Sequence, residues 1–437
     1  MDGQALLSAL APTNLWGTPP PLGTARPAYI KTLREALAAD VAIGIKGVRR
    51  GGKTTIALQL LAALTADGST TAERTCYVNL EDPRLPLHQG ASLLDDLVTA
   101  LRAHISPDGP SHLVLDEVHR LPGWERWVRT RLQQQPMMRI IVTGSSSHLL
   151  SRELGTVLTG RHLDVEVFPL SFAEYLRFTR PGLMQPLADP EGVLAASQAY
   201  LVGSSFPQVV LTKGEVLQQR LLHQLYRDVL THDVARRYNI KEIDKLEDTA
   251  TQLLATVPGP VTLSGLRRAV RGQVSLDSVS RYCRYLEEPY LVSFVSTYSK
   301  RARTRANLPR KVYAIDNGLL GAVVHRFRSE QGLLLENAVF LELRRRGYEV
   351  FRFHGKREVD FLLWQGTEPL ALINACVEVK DPQTRLREIE GLREAMLHFG
   401  LDEGLIVTLA TGEEVEVTEG RIRLVPFHQF ALEQGWR

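Results

Sequence analysis

The sequence predicts an α/β chain built on a parallel sheet, and three observations predict it. The apolar run Val41-Ala42-Ile43-Gly44-Ile45-Lys46 passes through a glycine-rich turn, Gly47 to Thr54, into the apolar helical stretch Thr55 to Leu64. Further short apolar runs follow at Cys76-Tyr77-Val78-Asn79-Leu80, His112-Leu113-Val114-Leu115 and Arg139-Ile140-Ile141-Val142, with a helix-like stretch from Leu93 to Ala103 between the first two. The run at 112–115 closes on Asp116-Glu117. Strands alternating with helices indicate crossover-connected parallel strands, whose ligands sit at the strand C-termini. The turn at 47–54, the acidic pair at 116–117 and the segment Thr143-Gly144-Ser145-Ser146-Ser147 would all fall on that edge.

Composition sets wider bounds. The chain has 437 residues, too many for one ordinary core, so two or three domains are expected. A net charge of +3 is too small to argue for a nucleic-acid partner, so such a case must come from local clustering. Cys76, Cys283 and Cys376 lie far apart with no metal-ligand spacing, which argues against a disulfide framework or structural zinc and fits a reducing cytoplasm. There is no signal-peptide pattern and no apolar run of membrane-spanning length, so no membrane role is expected. Residues 1–27, rich in proline and glycine, read as an arm or linker ahead of a helix at 29–37.

Gly47-Val48-Arg49-Arg50-Gly51-Gly52-Lys53-Thr54 fits G-x-x-x-x-G-K-[ST] at every fixed position. A tight loop between strand and helix turns backbone N–H groups toward a phosphate, and the helix N-terminus adds positive potential. Gly47, Arg49, Arg50, Gly51, Gly52, Lys53, Thr54 and Thr55 are therefore the candidate nucleotide-binding residues. Lys53 would reach the β- and γ-phosphates, and Thr54 would offer its hydroxyl to Mg²⁺. Asp116 would complete the Mg²⁺ shell, and Glu117 would orient or deprotonate the attacking water. The cofactors expected are ATP and Mg²⁺. Ser145, beside Ser146, reads equally as a phosphate-sensing hydroxyl or as a helix N-cap. Arg161 is either a surface arginine or a phosphate sensor, acting in cis or from a neighbouring copy in a homo-oligomer.

These motifs, Leu115-Asp116-Glu117, Thr143-Gly144-Ser145-Ser146 and Gly160-Arg161 with the phosphate loop, resemble a prokaryotic family of AAA-type ATPases that carry a C-terminal domain of uncharacterised function. Val167-Phe168-Pro169-Leu170-Ser171-Phe172, Gly203-Ser204-Ser205-Phe206-Pro207 and Tyr313-Ala314-Ile315-Asp316-Asn317-Gly318 are similar to that family's further motifs. The resemblance runs from about residue 28 to 410. It implies an ATPase core over 28–165.

Residues 166–239 read as a helical lid broken at Gly203–Pro207, with Asp228 and Asp233 taken as solvated helix residues. Residues 240–320 give helix, helix and a strand pair, the order of a winged helix-turn-helix. Eleven basic residues against three acidic lie between Arg267 and Lys311. Arg267, Arg268, Arg281, Arg301, Arg303 and Arg305 are the candidate nucleic-acid contacts, with DNA the expected partner. The alternative is a solvated loop or an inter-domain contact.

Residues 321–437 read as a helix bearing Glu336, three strands, a helix and a strand, an order that resembles the restriction-endonuclease-like fold. Asp360 on the second strand and Glu378-Val379-Lys380 at the end of the third match that fold's D…ExK pattern. Residues 378 and 380 would share one face of a strand. The resemblance implies Mg²⁺ held by Glu336, Asp360 and Glu378, with Lys380 assisting the nucleophile. Two functions therefore stand: a DNA-associated ATPase with a Mg²⁺-dependent nuclease site, or an ATP-dependent switch gating a protein partner through a silent nuclease-like domain.

Overall fold

The computed structural model describes residues 2–433 apart from 136, 145–159, 185–188, 302, 304, 306, 307, 325–329 and 380. The chain divides into two compact units, Met1–Val167 and Phe168–Arg437.

In the first unit five parallel strands pair in the order β2-β3-β4-β1-β5: β1 Ala42–Gly47, β2 Thr75–Asn79, β3 His112–Asp116, β4 Arg139–Gly144 and β5 His162–Val167. Successive residues of each strand face opposite layers, and both layers are packed. Leu113, Leu115, Ile140 and Val142 enter one core with the helices Ser92–His104 and Trp124–Gln134. Ile43, Ile45, Val114 and Ile141 enter the other with Pro27–Leu37 and Lys53–Ala66. Burial on both faces explains why these strands read as unbroken apolar runs.

Part of the expected arm belongs to the fold. Residues Gly3–Leu10 form a helix that buries Leu6, Leu7 and Leu10 in the first core. Asn14, 1 % exposed, then closes the free edge of β2: its Nδ2 donates to the Tyr77 carbonyl at 2.8 Å, and the Tyr77 N–H donates to its Oδ1 at 2.7 Å. The side-chain amide thus supplies the pairing a further strand would have made.

The second unit begins with the helices Phe172–Thr179, Pro190–Val202, Pro207–Leu211 and Glu215–Asp228, continued by a π-helical turn over Val229–Ala235. The expected break at 203–206 is present. Asp233, expected to be solvated, is buried. Asp316 explains two of the unassigned motifs: its carboxylate accepts from the Ser205 N–H at 2.6 Å and the Ser205 hydroxyl at 2.7 Å. A Cβ on Gly318 would lie 2.6 Å from the Ser204 backbone, so these motifs are packing elements.

Three helices, Ile243–Thr256, Leu263–Ala269 and Leu276–Glu287, accompany a small antiparallel sheet ordered β6-β8-β7, in which β6 Gly259–Val261 falls between the first and second helices and β7 Val292–Val295 and β8 Arg310–Ala314 follow the third. A mixed six-stranded sheet follows in the order β13-β14-β12-β11-β10-β9. Its strands are β9 Glu349–His354, β10 Glu358–Gln365, β11 Glu368–Ala375, β12 Glu403–Thr408, β13 Glu413–Val417 and β14 Gly420–Pro426. The helix Gln331–Arg345 precedes β9, and Pro382–Phe399 crosses from β11 to the parallel strand β12.

Candidate functional site

The phosphate loop is held open by its glycines and by the segment before it. A Cβ on Gly47, at φ 151°, would stand 2.1 Å from the Val167 carbonyl oxygen, and Gly52 caps the helix at φ 99°. Arg50 also takes a left-handed conformation, at φ 61°. Arg26, fully buried, donates from Nη1 to the Gly51 carbonyl at 2.7 Å, while its guanidinium lies 4.5 Å from the Tyr29 ring centroid. Lys53 is buried and its ammonium donates to the carbonyls of Gly47 and Val48 at 3.0 and 3.1 Å. Arg49, Thr54 and Thr55 flank it on the loop and first helical turn.

Asp116 ends β3 inside a shell of hydroxyls. Its Oδ2 accepts from Thr54 Oγ1 at 2.8 Å and Tyr77 Oη at 2.6 Å, and its Oδ1 accepts from Thr143 Oγ1. β4 lies between β3 and β1, so Thr143 stands beside Asp116 on the strand separating it from the loop strand. Burial and the Asp116 charge hold the Tyr77 phenol far above its ordinary range, which keeps it a donor. Thr54 and Asp116 are oxygen ligands 2.8 Å apart beside the loop, the donor set a hard divalent cation requires, so these residues fit Mg²⁺.

Glu117 is also strained, at φ 54°, with its N–H donating to Thr143 Oγ1 at 3.0 Å. Its Oε2 is buried without a hydrogen bond, 3.4 Å from His119 Nδ1. Burial raises the Glu117 carboxyl above its ordinary range, against the opposing pull of Lys53. A non-glycine residue in this conformation, carrying an underbonded carboxyl, is the form a poised general base takes.

One predicted residue of this site stands elsewhere. The parallel register pairs His162 with Ala42, and the Arg161 backbone carbonyl accepts from the Ala42 N–H at the opposite end of the sheet from Gly47. Five residue steps separate the two edges, about 17 Å. Arg161 therefore does not reach the loop of its own chain, and cis phosphate sensing is corrected to a site remote from the nucleotide. Ser145 and Ser146 lie outside the described residues. Arg26 and Tyr77 stand beside the loop and Asp116 with no motif to announce them, whereas Thr143 lies in the segment expected at this edge.

With that geometry in place, the first unit defines an AAA-type P-loop ATPase domain, and residues 40–176 match the AAA-domain family AAA_14. Residues 195–330 match a domain of unknown function, DUF8612. Uncharacterized protein MJ1544 of Methanocaldococcus jannaschii is 31 % identical over 404 residues, spanning 89 % of this chain and 87 % of that protein. This chain belongs to the same family. An uncharacterized protein of Haemophilus influenzae is 28 % identical over 347 residues, 78 % of this chain and 84 % of its own. Among solved structures, the Walker-type ATPase PABY2304 of Pyrococcus abyssi superposes with a TM-score of 0.48 at 14 % identity, covering 69 % of this chain and 96 % of its own. The replication initiator DnaA bound to AMPPCP and single-stranded DNA gives 0.29 at 18 %, covering 61 % and 88 %. No helix among the described residues is long and apolar enough to cross a membrane.

The second unit holds another charged centre. Asp360 sits where the pairing of β10 with β9 shifts register, an irregularity that re-aims a side chain. It lines a pocket of about 420 Å³ with Lys311, Glu336, Lys356, Arg357, Glu358, Arg387 and Glu388 among its walls. Asp360 and Glu336 meet there as expected, but Glu378 does not join them. β11 ends at Ala375, and Glu378, expected on that strand, is exposed beyond its end and outside the pocket wall. Lys380 lies outside the described residues.

The position of β11 level with Asp360 belongs to Asn374. Its Oδ1 accepts from the Asp360 N–H at 3.0 Å, and its Nδ2 donates to Glu388 Oε2 at 2.7 Å. The cation in the pocket comes from β8: Lys311 Nζ stands 2.7 Å from Glu336 Oε1, 3.0 Å from Asp360 Oδ1 and 3.4 Å from Glu358 Oε1. Burial and the Asp360 charge raise the Glu336 carboxyl above its ordinary range against the opposing pull of Lys311, while Asp360 and its acidic neighbours hold the Lys311 ammonium charged despite its burial. Among the described residues no group of three or more His, Cys, Asp or Glu is arranged to hold a metal ion.

The predicted basic contacts divide. Arg267, Arg268 and Arg281 are exposed on the helices Leu263–Ala269 and Leu276–Glu287, Arg281 pairing with Asp277 at 3.2 Å. Arg301 and Arg303 are exposed between β7 and β8. The base of that connection is pinned to the β9 edge: Tyr298 N–H donates to the Arg352 carbonyl at 2.7 Å, Arg352 N–H to Ser296 at 3.0 Å, and the Tyr298 ring stacks on Trp364. Arg305 lies over the Phe351 ring.

Proposed function

We propose that this ATPase acts on or with DNA, binding it through the arginines of the helices Leu263–Ala269 and Leu276–Glu287 and coupling that contact to ATP hydrolysis in the first unit. The observation that carries the reading is the set Arg267, Arg268 and Arg281, exposed on two adjacent helices that lie between the first strand and the last two of a three-stranded sheet, in the element order of a winged helix. Basic side chains on such helices neutralise backbone phosphates. In the first unit Lys53 leaves the loop carbonyls for the terminal phosphates, and Glu117 orients the attacking water and takes its proton. Mg²⁺, held by Thr54 and Asp116, would offset the charge on the transferred phosphoryl group.

The test is DNA affinity against salt. Wild-type binding should weaken linearly in a log–log plot, and Arg267→Glu with Arg268→Glu should lower the slope by about 2 if each meets one phosphate. Lys53→Ala should abolish ATP turnover with or without DNA. Binding that is absent or indifferent to salt rejects the DNA reading and leaves the ATPase intact.

One observation favours the second reading, a nuclease-like domain that is catalytically silent. The element order and pairing of residues 331–408 suit a restriction-endonuclease-like core, but Asn374 occupies the strand position beside Asp360 and Lys311 already engages the carboxylates. On this reading the ATPase is a switch, and the C-terminal domain serves binding or assembly. Cleavage of DNA by the wild-type protein with Mg²⁺ or Mn²⁺, lost in Asp360→Ala, would reject it.

A further inference from the structure

The residues of the C-terminal centre do not fit the divalent cation that a nuclease-like fold implies, and the mismatch has a specific cause. Three carboxylates from two segments, Glu336 on the helix Gln331–Arg345 and Glu358 and Asp360 on β10, converge on one point. That point is taken by the ammonium of Lys311, whose side chain is 7 % exposed. An ammonium has three donors, and each carboxylate here receives one. Glu336 Oε1 accepts a second bond from Tyr313 Oη at 2.7 Å, and Asp360 Oδ2 one from the Ala375 N–H at 3.1 Å. Glu336 Oε1 thus accepts from both Lys311 and Tyr313, and the ammonium occupies the point between the carboxylates where a divalent cation would have to sit.

We infer that Lys311 is the resident cation of this centre: an ammonium supplied by β8 replaces a metal ion, and the second unit takes up no divalent cation while that side chain is in place. Lys311 also ties the three-stranded sheet to the six-stranded one, because β8 lies at the centre of the former and Asp360 within the latter. Arg352 Nε stays 2.6 Å from Glu358 Oε1, but Glu336 and Asp360 would lose the ammonium they share, and a carboxylate left without its cation in a largely buried site is strongly destabilising. The lysine is then a positioning residue whose loss a divalent ion can offset.

The experiment uses full-length, nucleotide-free protein carrying Asp116→Asn, so that the phosphate-loop centre is not counted. Mn²⁺ is the probe, followed by electron paramagnetic resonance and by the thermal unfolding midpoint. The parent should bind no Mn²⁺ that Asp360→Asn removes, and its midpoint should not move on adding Mn²⁺. Adding Lys311→Met should lower the midpoint in EDTA, create a Mn²⁺ site and recover several degrees when Mn²⁺ is supplied. Adding Asp360→Asn to Lys311→Met should abolish the recovery. Mn²⁺ bound by the parent and lost with Asp360→Asn overturns the inference, and that arm stands even if Lys311→Met does not fold. A folded Lys311→Met variant indifferent to Mn²⁺ overturns it too. Neither arm depends on DNA binding or ATP turnover.

Discussion

Glu117→Gln should move activity and stability in opposite directions. The native carboxyl is buried, holds a left-handed backbone at φ 54°, and has one oxygen without a hydrogen bond. Turning it into an amide removes the proton acceptor for the attacking water, which should cost about 10²–10⁴ in kcat. The same change removes a buried charge, which should add on the order of 1 kcal/mol at pH 7. The sign follows from linkage. A carboxyl whose folded pKa is raised makes the folded state hold more protons than the unfolded state between the unfolded and folded values. Stability therefore falls as pH rises through that window, and the penalty persists above it. The gain in Glu117→Gln should be full at neutral pH and vanish below the unfolded carboxyl value. Phosphate release measures the first effect, and urea unfolding at pH 7 and at pH 4 the second. Turnover within threefold of wild type would refute the base assignment, and a variant less stable than wild type at pH 7 would refute the burial argument.

Gly47→Ala should be worse for the fold than any change of charge in the loop, because its Cβ meets the Val167 carbonyl at 2.1 Å; a loss of about 3 kcal/mol or more is expected in denaturant. Asn14→Ala strands the Tyr77 N–H and carbonyl and should cost about 2–3 kcal/mol, with a change under roughly 0.5 kcal/mol excluding the edge-closing role. His112 is held neutral by burial and by Arg139 and Arg74, its pKa lowered to about 4. The unfolded state alone takes up a proton as pH falls from about 6.5 to 4, so stability is lost across that window, about 2 kcal/mol after allowing for partial exposure. His112→Gln should flatten the acid limb of the unfolding midpoint.

What the sequence revealed was local. A phosphate loop is eight consecutive residues, and Asp116-Glu117 announces itself as the end of an apolar run, so both could be read without tertiary information. The helices Ile243–Thr256, Leu263–Ala269 and Leu276–Glu287 likewise follow the spacing of their apolar residues. The failures have one physical origin, contacts between residues far apart in sequence. The helix Gly3–Leu10 offers only a few leucines among small residues, too few for a clear period, and Asn14 acts through a strand 63 positions away. Arg161 was misplaced because motif order carries no register, and register sets which end of a parallel sheet a residue occupies. Glu378 falls off the expected strand because no local feature announces that β11 stops at Ala375. Lys311 was read as one more basic residue of a charged hairpin, whereas packing turns it inward.

The two acidic centres then differ in how the chain keeps a buried carboxylate. Around Asp116 the partners are the hydroxyls of Thr54, Tyr77 and Thr143. Hydroxyls satisfy lone pairs without cancelling charge, and each can rotate to accept instead of donate, so the site stays attractive to an incoming cation. Around Glu336, Glu358 and Asp360 the shared partner is an ammonium, joined on Glu358 by the Arg352 guanidinium, and both cancel charge and cannot accept. The first arrangement suits a centre that loads and unloads metal with nucleotide, and the second suits one that holds its elements together. Exchanging the partner type should therefore exchange the behaviour, which is why Lys311→Met is expected to gain a divalent ion where the native chain has none.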